Sequence, residues 1–247
     1  MISPVRKHIF SSLKYAELLF FPSFCKLCSK PLEKKKDRVV CRRCFTSLIQ
    51  RSSSFCLSCG HFFQDAAEPR LCVKCLEKKP NYSLHRSCGH YSGKLKDLIL
   101  LFKYRGYKVL GRDLAQFMLK TLGTSEEIWW GVDALVPVPL HPKRQRHRGF
   151  NQAFLLARVM AREKNKILIR KCLIKVKNSP PQTVVEAQER GKNVKGAFAV
   201  KNARNIKDKV ILLVDDVYTT GATVKECCRN LLQAGAKEVR VITLAQA

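Results

Sequence analysis

The sequence predicts an α/β protein: a parallel sheet with helices on both faces, preceded by a small zinc-binding domain. From Gly93 onward, apolar runs of strand length alternate with amphipathic helical patterns, and that alternation is typical of parallel sheets. Before that point, residues 25–75 hold eight of the 12 cysteines. A length of 247 residues suits one domain with an appendage or two small domains. We therefore expect a helix over 1–24, a zinc domain over 25–80 and the sheet domain over 93–247.

The first 24 residues are predicted to form a short amphipathic helix that ends at Pro22. Its apolar face carries Ile9, Phe10, Leu13 and Phe20. Such a helix packs on its own protein or lies on a membrane surface. No apolar run approaches the roughly 18 residues of a transmembrane segment, and no small-residue cleavage site follows the basic N-terminus. The expected location is the cytoplasm, with peripheral contact to the membrane left open.

Four C-x-x-C pairs dominate the N-terminal third of the chain. They are Cys25/Cys28, Cys41/Cys44, Cys56/Cys59 and Cys72/Cys75. Twelve residues separate the first pair from the second and the third from the fourth, so the block repeats with a period of 31. Each pair brings two sulfurs within reach of one ion, and two pairs complete a closed tetrahedral zinc site. The cysteines therefore predict two structural zinc ions, with iron–sulfur, redox and degraded sites as the alternatives.

The spacing leaves the pairing of these cysteines open. Sequential pairing fits as well as an interleaved cross-brace that joins the first pair to the third. In either arrangement about fifty residues bury too little apolar surface to fold alone, so metal must supply much of the folding free energy. His61 is expected on the surface. The four remaining cysteines are expected to be small core residues: Cys88, Cys172, Cys227 and Cys228.

Helices and strands alternate through the rest of the chain. The predicted helices cover Leu95–Phe102, Leu110–Leu122, Phe150–Ala161 and Ala222–Ala234. The predicted strands cover Val132–Val138, Cys172–Val176, Val210–Val214 and Glu238–Leu244. Residues 76–92 show no clear periodicity and are expected to form a connector.

The segment Val210–Val224 carries the clearest chemical signal. A buried strand is followed by Asp215 and Asp216, and a turn of small residues then opens a helix. The turn consists of Thr219, Thr220, Gly221, Ala222 and Thr223. Its backbone N–H groups and hydroxyls lie at a helix N-terminus and favour a phosphate, whereas the carboxylates favour sugar hydroxyls or hydrated Mg²⁺. The segment thus predicts a ribose 5-phosphate site. The plain alternative is an Asp-rich strand–turn–helix without a ligand.

The charge balance predicts a polyanionic partner. Lys and Arg number 47 against 19 Asp and Glu, which gives a formal net charge of +28. Two four-thiolate zinc sites would lower this charge by only about 4. Such a protein attracts nucleic acid, an anionic membrane surface or phosphorylated small molecules. A solubilising surface is the alternative.

Several segments together resemble a known family. Val214–Thr223 looks like the signature of type I phosphoribosyltransferases, which bind phosphoribosyl pyrophosphate (PRPP). Other segments resemble the ComF family of competence and DNA-uptake proteins. They are Phe102–Gly106, Val136–Pro142, Arg148–Gln152 and Pro181–Thr183, with Arg190, Asn193 and Gly196–Phe198. The cysteine pairs match the zinc head of that family's longer members. The resemblance covers nearly the whole chain.

The resemblance implies roles for individual residues. Asp215 and Asp216 would be the catalytic pair that contacts the ribose hydroxyls and Mg²⁺, and Thr219–Thr223 would hold the 5-phosphate. The basic loop after Val138 would bind pyrophosphate, chiefly through Arg144 and Arg148, or it would bind a DNA backbone. A solvated basic loop without a ligand is the alternative. That loop carries His141, Lys143, Arg144, Arg146, His147 and Arg148. A flexible loop over Lys177–Asn193 would cover the substrate.

Two functions from different classes follow from the resemblance and the charge. The first is a DNA-uptake protein with a PRPP-binding domain that handles incoming single-stranded DNA. The uptake machinery at the inner face of the membrane is then a further partner. The alternative is an active, Mg²⁺-dependent phosphoribosyltransferase of nucleotide metabolism that uses PRPP and an acceptor the sequence does not identify. A PRPP-binding repressor is disfavoured because the sequence has no obvious helix-turn-helix pattern.

Overall fold

The computed structural model describes residues 23–32, 39–48, 54–64, 68–177 and 194–247. Most of the predicted N-terminal helix and of the predicted covering loop lies outside these described residues. Contacts divide the chain into two compact units, residues 1–48 and residues 49–247. The first cysteine repeat therefore belongs to one unit, and the second repeat belongs to the unit that contains the sheet.

Within the described residues, the larger unit holds a five-stranded sheet whose strand pairs are all parallel. Its strands are β1 (His85–Ser87), β2 (Ala134–Pro137), β3 (Ile167–Leu168), β6 (Val210–Tyr218) and β7 (Glu238–Gln246). Their order across the sheet is β1-β7-β6-β2-β3. Two short strands, β4 (Leu173–Lys175) and β5 (Phe198–Val200), form a separate antiparallel pair. The parallel α/β architecture confirms the predicted fold class.

The strand β6 lies in the middle of the sheet, between β7 and β2. Residues Val210–Val214 are all buried. Because successive side chains point to opposite faces, this burial means that both faces of the strand are covered. Pairing with β7 continues to Tyr218, opposite Gln246. The strand thus runs four residues past its predicted end, and Asp215 and Asp216 lie within it.

Helices lie between most neighbouring strands of the main sheet along the chain, in groups of one to three. The helices are α1 (Arg42–Thr46) in the smaller unit and, in the larger unit, α2 (Val73–Glu77), α3 (Gly93–Tyr104), α4 (Leu110–Leu122), α5 (Glu126–Trp129), α6 (Pro142–Arg148), α7 (Gln152–Glu163) and α8 (Ala222–Gln233). Helix α8 packs against β5 and β7, while α7 packs against β2, β6 and α4. The apolar residues that predicted α3, among them Leu98, Ile99 and Phe102, are fully buried. The amphipathic patterns therefore predicted α3, α4, α7 and α8 correctly.

The basic segment after Val138 was predicted to be a loop, and this prediction was wrong. The segment forms α6, which begins with Pro142 and ends at Arg148; the next residue, Gly149, caps the helix with a left-handed backbone (φ +79°). Proline favours the first turn of a helix and glycine its C-terminal cap. The helix buries none of its residues, so its sequence has no apolar stripe by which to detect it.

The segment 76–92 was predicted to be a connector, but it contains the edge strand β1. His85–Ser87 pairs with Val241–Thr243 of β7, and all three residues of β1 are buried. Such a short strand of polar residues has no apolar periodicity, which is why the pattern missed it.

Arg86 of β1 connects the second cysteine repeat to the sheet. Its guanidinium donates hydrogen bonds to the carbonyl oxygens of Leu57 (3.0 Å) and His85 (2.8 Å). It also donates to both carboxylate oxygens of Glu127, at 2.8 and 2.7 Å. The Arg86 side chain is only 2% exposed, and a buried charge is tolerated only when it is paired and hydrogen-bonded in this way.

Replacing Arg86 by Ala is expected to lower the free energy of unfolding by about 3–5 kcal/mol, because buried carbonyls and a carboxylate lose their donor. Urea unfolding followed by circular dichroism measures the loss. Arg162→Ala is the matched control, since Arg162 forms an exposed ion pair with Glu163 at 2.8 Å, and its loss should cost less than about 1 kcal/mol. Equal losses in the two variants would contradict the role of Arg86.

Candidate functional site

The eight paired cysteines form two compact clusters, one in each cysteine repeat. The clusters are Cys25, Cys28, Cys41 and Cys44, and Cys56, Cys59, Cys72 and Cys75. Within each cluster all four sulfurs lie within 4.8 Å of one another. The pairing is therefore sequential, and the cross-brace that the spacing left open is excluded.

The distances between sulfurs fit one tetrahedral zinc ion per cluster. A Zn–S bond of about 2.3 Å gives a tetrahedron with an edge of about 3.8 Å. The measured sulfur–sulfur distances are 3.9 Å for Cys25–Cys44, 3.8 Å for Cys28–Cys41 and 3.7 Å for Cys59–Cys72. The residues present thus have both the chemistry and the geometry of closed, structural zinc sites.

Backbone N–H groups stabilise a thiolate in each cluster. The N–H of Cys41 donates to the Cys25 sulfur at 3.4 Å, and the N–H of Cys72 donates to the Cys56 sulfur at 3.3 Å. Burial favours the neutral thiols, but backbone N–H donors outweigh it and lower the pKa of Cys25 to about 6 and that of Cys56 to about 7. Since the thiolate is the form that binds metal, these donors favour Cys25 and Cys56 as ligands. Burial and the neighbouring thiols raise the pKa of Cys44 and of Cys59.

His61 and the four remaining cysteines lie outside both clusters. The ring of His61 packs edge-on against Phe63, with centroids 5.8 Å apart, and His61 is exposed as expected. The four cysteines outside the pairs are buried, as predicted for core residues: Cys88, Cys172, Cys227 and Cys228.

A cleft of about 860 Å³ opens where β2 and β6 end. Ligands of parallel α/β sheets bind at this carboxyl edge. Most of the predicted site residues line the cleft: Lys143, Arg144, Arg148, Asp215, Asp216, Thr219, Gly221 and Thr223. Thr220 and Ala222 belong to the same turn, but they are not part of the described lining.

The acidic pair in this cleft has a lysine partner. The ammonium of Lys103 lies 3.0 Å from Oδ1 of Asp216, and both side chains are largely buried. Asp215 accepts a hydrogen bond from the backbone N–H of Asp216 at 2.8 Å. Burial, together with the charge of Asp216, raises the pKa of Asp215 to about 7. Burial disfavours the Lys103 ammonium, but attraction to Asp216 outweighs it and raises the lysine's pKa.

Tyr218 and Gly221 shape the turn between β6 and α8. Gly221 has a left-handed backbone (φ +74°) and directly precedes the 12 residues of α8. A Cβ at this position would overlap the Tyr218 hydroxyl, so both the backbone angle and the neighbouring side chain require glycine. Thr220 Oγ1 accepts a hydrogen bond from the N–H of Ala222 at 3.4 Å. Helix α8 therefore begins at the cleft, where its N-terminus favours an anion.

One face of α6 is turned toward the cleft. The lining residues of this helix are Lys143, Arg144, His147 and Arg148, a spacing that puts them on one side of a helix. The guanidinium of Arg148 lies 5.2 Å from the centre of the Tyr104 ring. Burial and the charge of Arg148 lower the pKa of Arg144, so an anion between the two arginines would relieve their repulsion. Arg146 is exposed and is not part of the described lining.

Sequence patterns assigned no role to several residues that line the cleft. Lys103, Tyr104 and Gln152 stand in segments that carry the family resemblance, and that resemblance was the only available signal for them. Lys175 lies on the short strand β4 and reaches the cleft through tertiary folding alone. Gln152 is 2% exposed, and its Oε1 accepts no hydrogen bond from the described residues.

Two family models match the chain. The model of the phosphoribosyl transferase domain matches residues 151–247, and the model of the double zinc ribbon domain matches residues 17–90. The first match includes the acidic pair and α8, and the second includes all eight clustered cysteines. The chain thus joins zinc ribbons to a domain of the phosphoribosyltransferase fold.

Curated relatives match over most of the chain. Competence protein F of Haemophilus influenzae is 31% identical over 231 residues, which are 92% of this chain and 99% of that protein. The chain belongs to the ComF family. DNA utilization protein YhgH of Salmonella typhimurium is 31% identical over 235 residues, 93% of this ComF chain and 99% of that protein. Competence protein ComFC of Bacillus subtilis is 31% identical over 218 residues, 85% of each chain.

None of the helices described in this ComF chain has the length and apolar character needed to cross a bilayer.

Purified ComF protein is expected to contain about two zinc ions per chain, one for each set of four thiolates. Cys72→Ser should reduce the content to about one, because it removes one ligand of the second cluster. Cys172→Ser is the matched control, since Cys172 is buried outside both clusters. Metal analysis by mass spectrometry gives the content. Less than one zinc in the wild type, or loss of zinc in the control, would contradict two four-cysteine sites.

Proposed function

We propose that the cleft binds PRPP with Mg²⁺ and that this ComF protein uses the bound ligand to control its handling of incoming single-stranded DNA in the cytoplasm. One observation carries the proposal. The acidic pair, the turn before α8 and the cationic face of α6 all line one cleft of about 860 Å³. PRPP presents hydroxyls, a phosphate and a pyrophosphate on a single ribose, so each part of the cleft has a chemical counterpart in the ligand.

The turn before α8 suits the 5-phosphate. Thr219, Gly221, Thr223 and Val224 line the cleft. The first N–H groups of a helix have no intrahelical partner, and together with the threonine hydroxyls they can donate to phosphate oxygens. The lack of a side chain at Gly221 keeps this part of the turn open to the ligand.

The acidic pair suits the ribose hydroxyls and Mg²⁺. Carboxylates accept hydrogen bonds from hydroxyls and bind hydrated Mg²⁺. Lys103 already pairs with Asp216 at 3.0 Å, so the pair offers less than two full negative charges to an anionic ligand. We infer that this compensation allows two carboxylates to lie beside a phosphate site.

The cationic face of α6 suits the pyrophosphate. Arg144 and Arg148 can each donate two parallel hydrogen bonds to phosphate oxygens, and Lys143 lines the cleft beside them. Their side chains come from one rigid helix, which holds the charges in place more firmly than the expected loop would.

DNA handling is supported by the charge and by the names of the relatives. The chain carries a net charge of +28, and the cleft accounts for only part of its cations. Arg42, Arg43 and Arg146 are exposed and suit a DNA backbone. The relatives are named for competence and DNA utilization. Contact with the uptake machinery at the inner face of the membrane belongs to the same proposal.

A second candidate function is phosphoribosyl transfer from PRPP to an acceptor. The observation that favours it is the buried side chain of Gln152, which lines the cleft and has an Oε1 without a described donor. A buried acceptor of this kind fits a ligand with an N–H or O–H group. Release of pyrophosphate from PRPP in the presence of an acceptor would favour this function, and its absence would leave PRPP as a regulator.

PRPP affinity at constant Mg²⁺ is expected to rise about tenfold from pH 6 to pH 8. The pKa of Asp215 is raised to about 7, so the carboxyl is mostly protonated below this value, and the ionised form that accepts hydroxyls and binds Mg²⁺ appears above it. Isothermal titration calorimetry measures the profile. Asp215→Asn should weaken binding and flatten the pH profile. The ligand's own phosphate, which titrates near pH 6, contributes to the pH profiles of both proteins. The same steep profile in Asp215→Asn would contradict this assignment.

Arg144→Ala is expected to weaken PRPP binding roughly 10- to 100-fold, the loss typical of hydrogen bonds to a charged group. Arg146→Ala is the matched control on the same helix and should leave PRPP affinity unchanged, because Arg146 is not in the described lining. Equal losses would mean that the ligand does not lie on the cleft face of α6.

The same two variants separate DNA binding from PRPP binding. If single-stranded DNA contacts the exposed side of α6, Arg146→Ala should lower the slope of log affinity against log salt by about 0.7, and PRPP should not compete. Fluorescence anisotropy of a labelled oligonucleotide measures the slope. Competition by PRPP, with an effect of Arg144→Ala instead, would place the DNA in the cleft.

A further inference from the structure

The imidazole of His85 connects the second cysteine repeat, which holds Cys56, Cys59, Cys72 and Cys75 and is called the second zinc ribbon below, with the sheet. Its Nδ1 lies 2.8 Å from the carbonyl oxygen of Cys59, and its Nε2 lies 2.8 Å from Oγ1 of Thr243. A carbonyl can only accept, so Nδ1 carries the proton and donates to Cys59, while Nε2 accepts from the Thr243 hydroxyl. The ring is fully buried. Its position is therefore determined from the ribbon side by the backbone of a zinc ligand.

The ribbon approaches His85 closely along its backbone as well. The N–H of His85 donates to the carbonyl of Ser58 at 2.8 Å. Gly60 has a left-handed backbone (φ +66°), and a Cβ there would overlap the carbonyl of His85. The turn from Cys56 to Cys59 begins and ends with ligands of the same cluster, so metal binding stabilises the turn that positions His85.

On its other side, His85 supports Tyr218. The two rings are stacked, with centroids 4.3 Å apart and planes 18° from parallel. The Tyr218 hydroxyl lies 2.9 Å from the hydroxyl of Tyr82. Tyr218 is the last residue of β6, and its ring is held from both its face and its tip.

Tyr218 in turn defines the path of the turn before α8. Its hydroxyl lies within overlap distance of the position that a Cβ of residue 221 would occupy. The Tyr218 ring therefore packs directly against the Gly221 backbone, and a displaced ring would change the support of the turn. Tyr218, Thr219 and Gly221 line the cleft, whereas His85 is not part of its described lining. A continuous series of contacts thus runs from a zinc ligand to the turn, by way of one side chain outside the cleft.

We propose that the second zinc site holds the phosphate-binding turn in its binding conformation, with His85 and Tyr218 as positioning residues. Zinc in that cluster and a 5-phosphorylated ligand in the cleft then bind cooperatively. This inference rests on the proposed function, because it presupposes that the turn before α8 binds the phosphate of PRPP. It adds that the zinc ribbon acts on the affinity of that site.

Reciprocity provides the first test. If zinc raises PRPP affinity by some factor, PRPP must raise zinc affinity by the same factor. A chain carrying Cys25→Ser reports zinc at the second site, and its zinc affinity is measured against a competing chelator with and without saturating Mg²⁺-PRPP. The second site should bind zinc at least about tenfold more tightly with PRPP. The Cys56→Ser chain reports the first site, which belongs to the other compact unit and supplies none of these residues, and should show no change. An equal change in both chains would mean that PRPP acts on zinc in solution, and would overturn the proposal.

His85 provides the second test, because it is outside the described lining of the cleft. His85→Ala should weaken PRPP binding about tenfold or more and abolish the coupling to zinc. His61→Ala is the matched control, since His61 is the exposed histidine of the same ribbon, and it should change neither quantity. Thr243→Val, which removes the hydroxyl that orients the ring, is the milder variant should His85→Ala fail to fold, and it should lower the coupling.

PRPP binding by the wild type distinguishes failure of the proposed function from failure of the zinc coupling. If the wild type does not bind PRPP, the proposed function fails and this inference fails with it. If the wild type binds PRPP, but the zinc affinity of the second site is the same with and without PRPP, only the inference is overturned. Retention of full coupling in folded His85→Ala would assign the coupling to another route and overturn the role of His85.

Discussion

The parallel pairing of β6 with β7 is the constraint on which the other features of the larger unit depend. It places Asp215 opposite Thr243 and Tyr218 opposite Gln246. Because side chains alternate along a strand, a slip of one residue would turn each of them toward the opposite face of the sheet. Because β6 is closely packed on both faces, that slip would place side chains of different size in each layer, which costs packing free energy. The positions of the acidic pair and of the turn before α8 follow from this register.

The same pairing also links the sheet to the second zinc ribbon. Strand β7 lies between β6 and β1, so its side chains meet residues from both. Thr243 contacts His85, and Arg86 of β1 binds the carbonyl of Leu57 in the ribbon. A ribbon of this size buries little apolar surface, so we expect metal to supply much of its folding free energy. Buried polar contacts with defined geometry therefore attach the ribbon to the sheet.

Electrostatics inside the cleft differ from those of the whole chain. The protein carries a net charge of +28, yet its cleft contains two adjacent carboxylates. Lys103 offsets one of them at 3.0 Å, and burial raises the pKa of the other, Asp215, to about 7. The cations of α6 line the same cleft. The cleft thus combines an acidic pair that Lys103 partly neutralises with the cations of α6, an arrangement that suits a ligand with both hydroxyls and phosphates.

The sequence by itself determined whatever depends on neighbouring residues. The C-x-x-C spacing identified the zinc ligands, strand and helix periodicity predicted the parallel α/β fold, and Val210–Val224 identified the acidic pair and the turn. Tertiary structure decided what depends on residues far apart in the chain. In the folded chain the cysteines pair sequentially, and pairing with β7 extends β6 to Tyr218. Lys103, distant in sequence, lies beside Asp216. Tertiary structure also made a helix of the basic segment after Val138 and a strand of His85–Ser87. Neither segment has an apolar pattern of its own, because each is defined by its caps or by buried polar contacts.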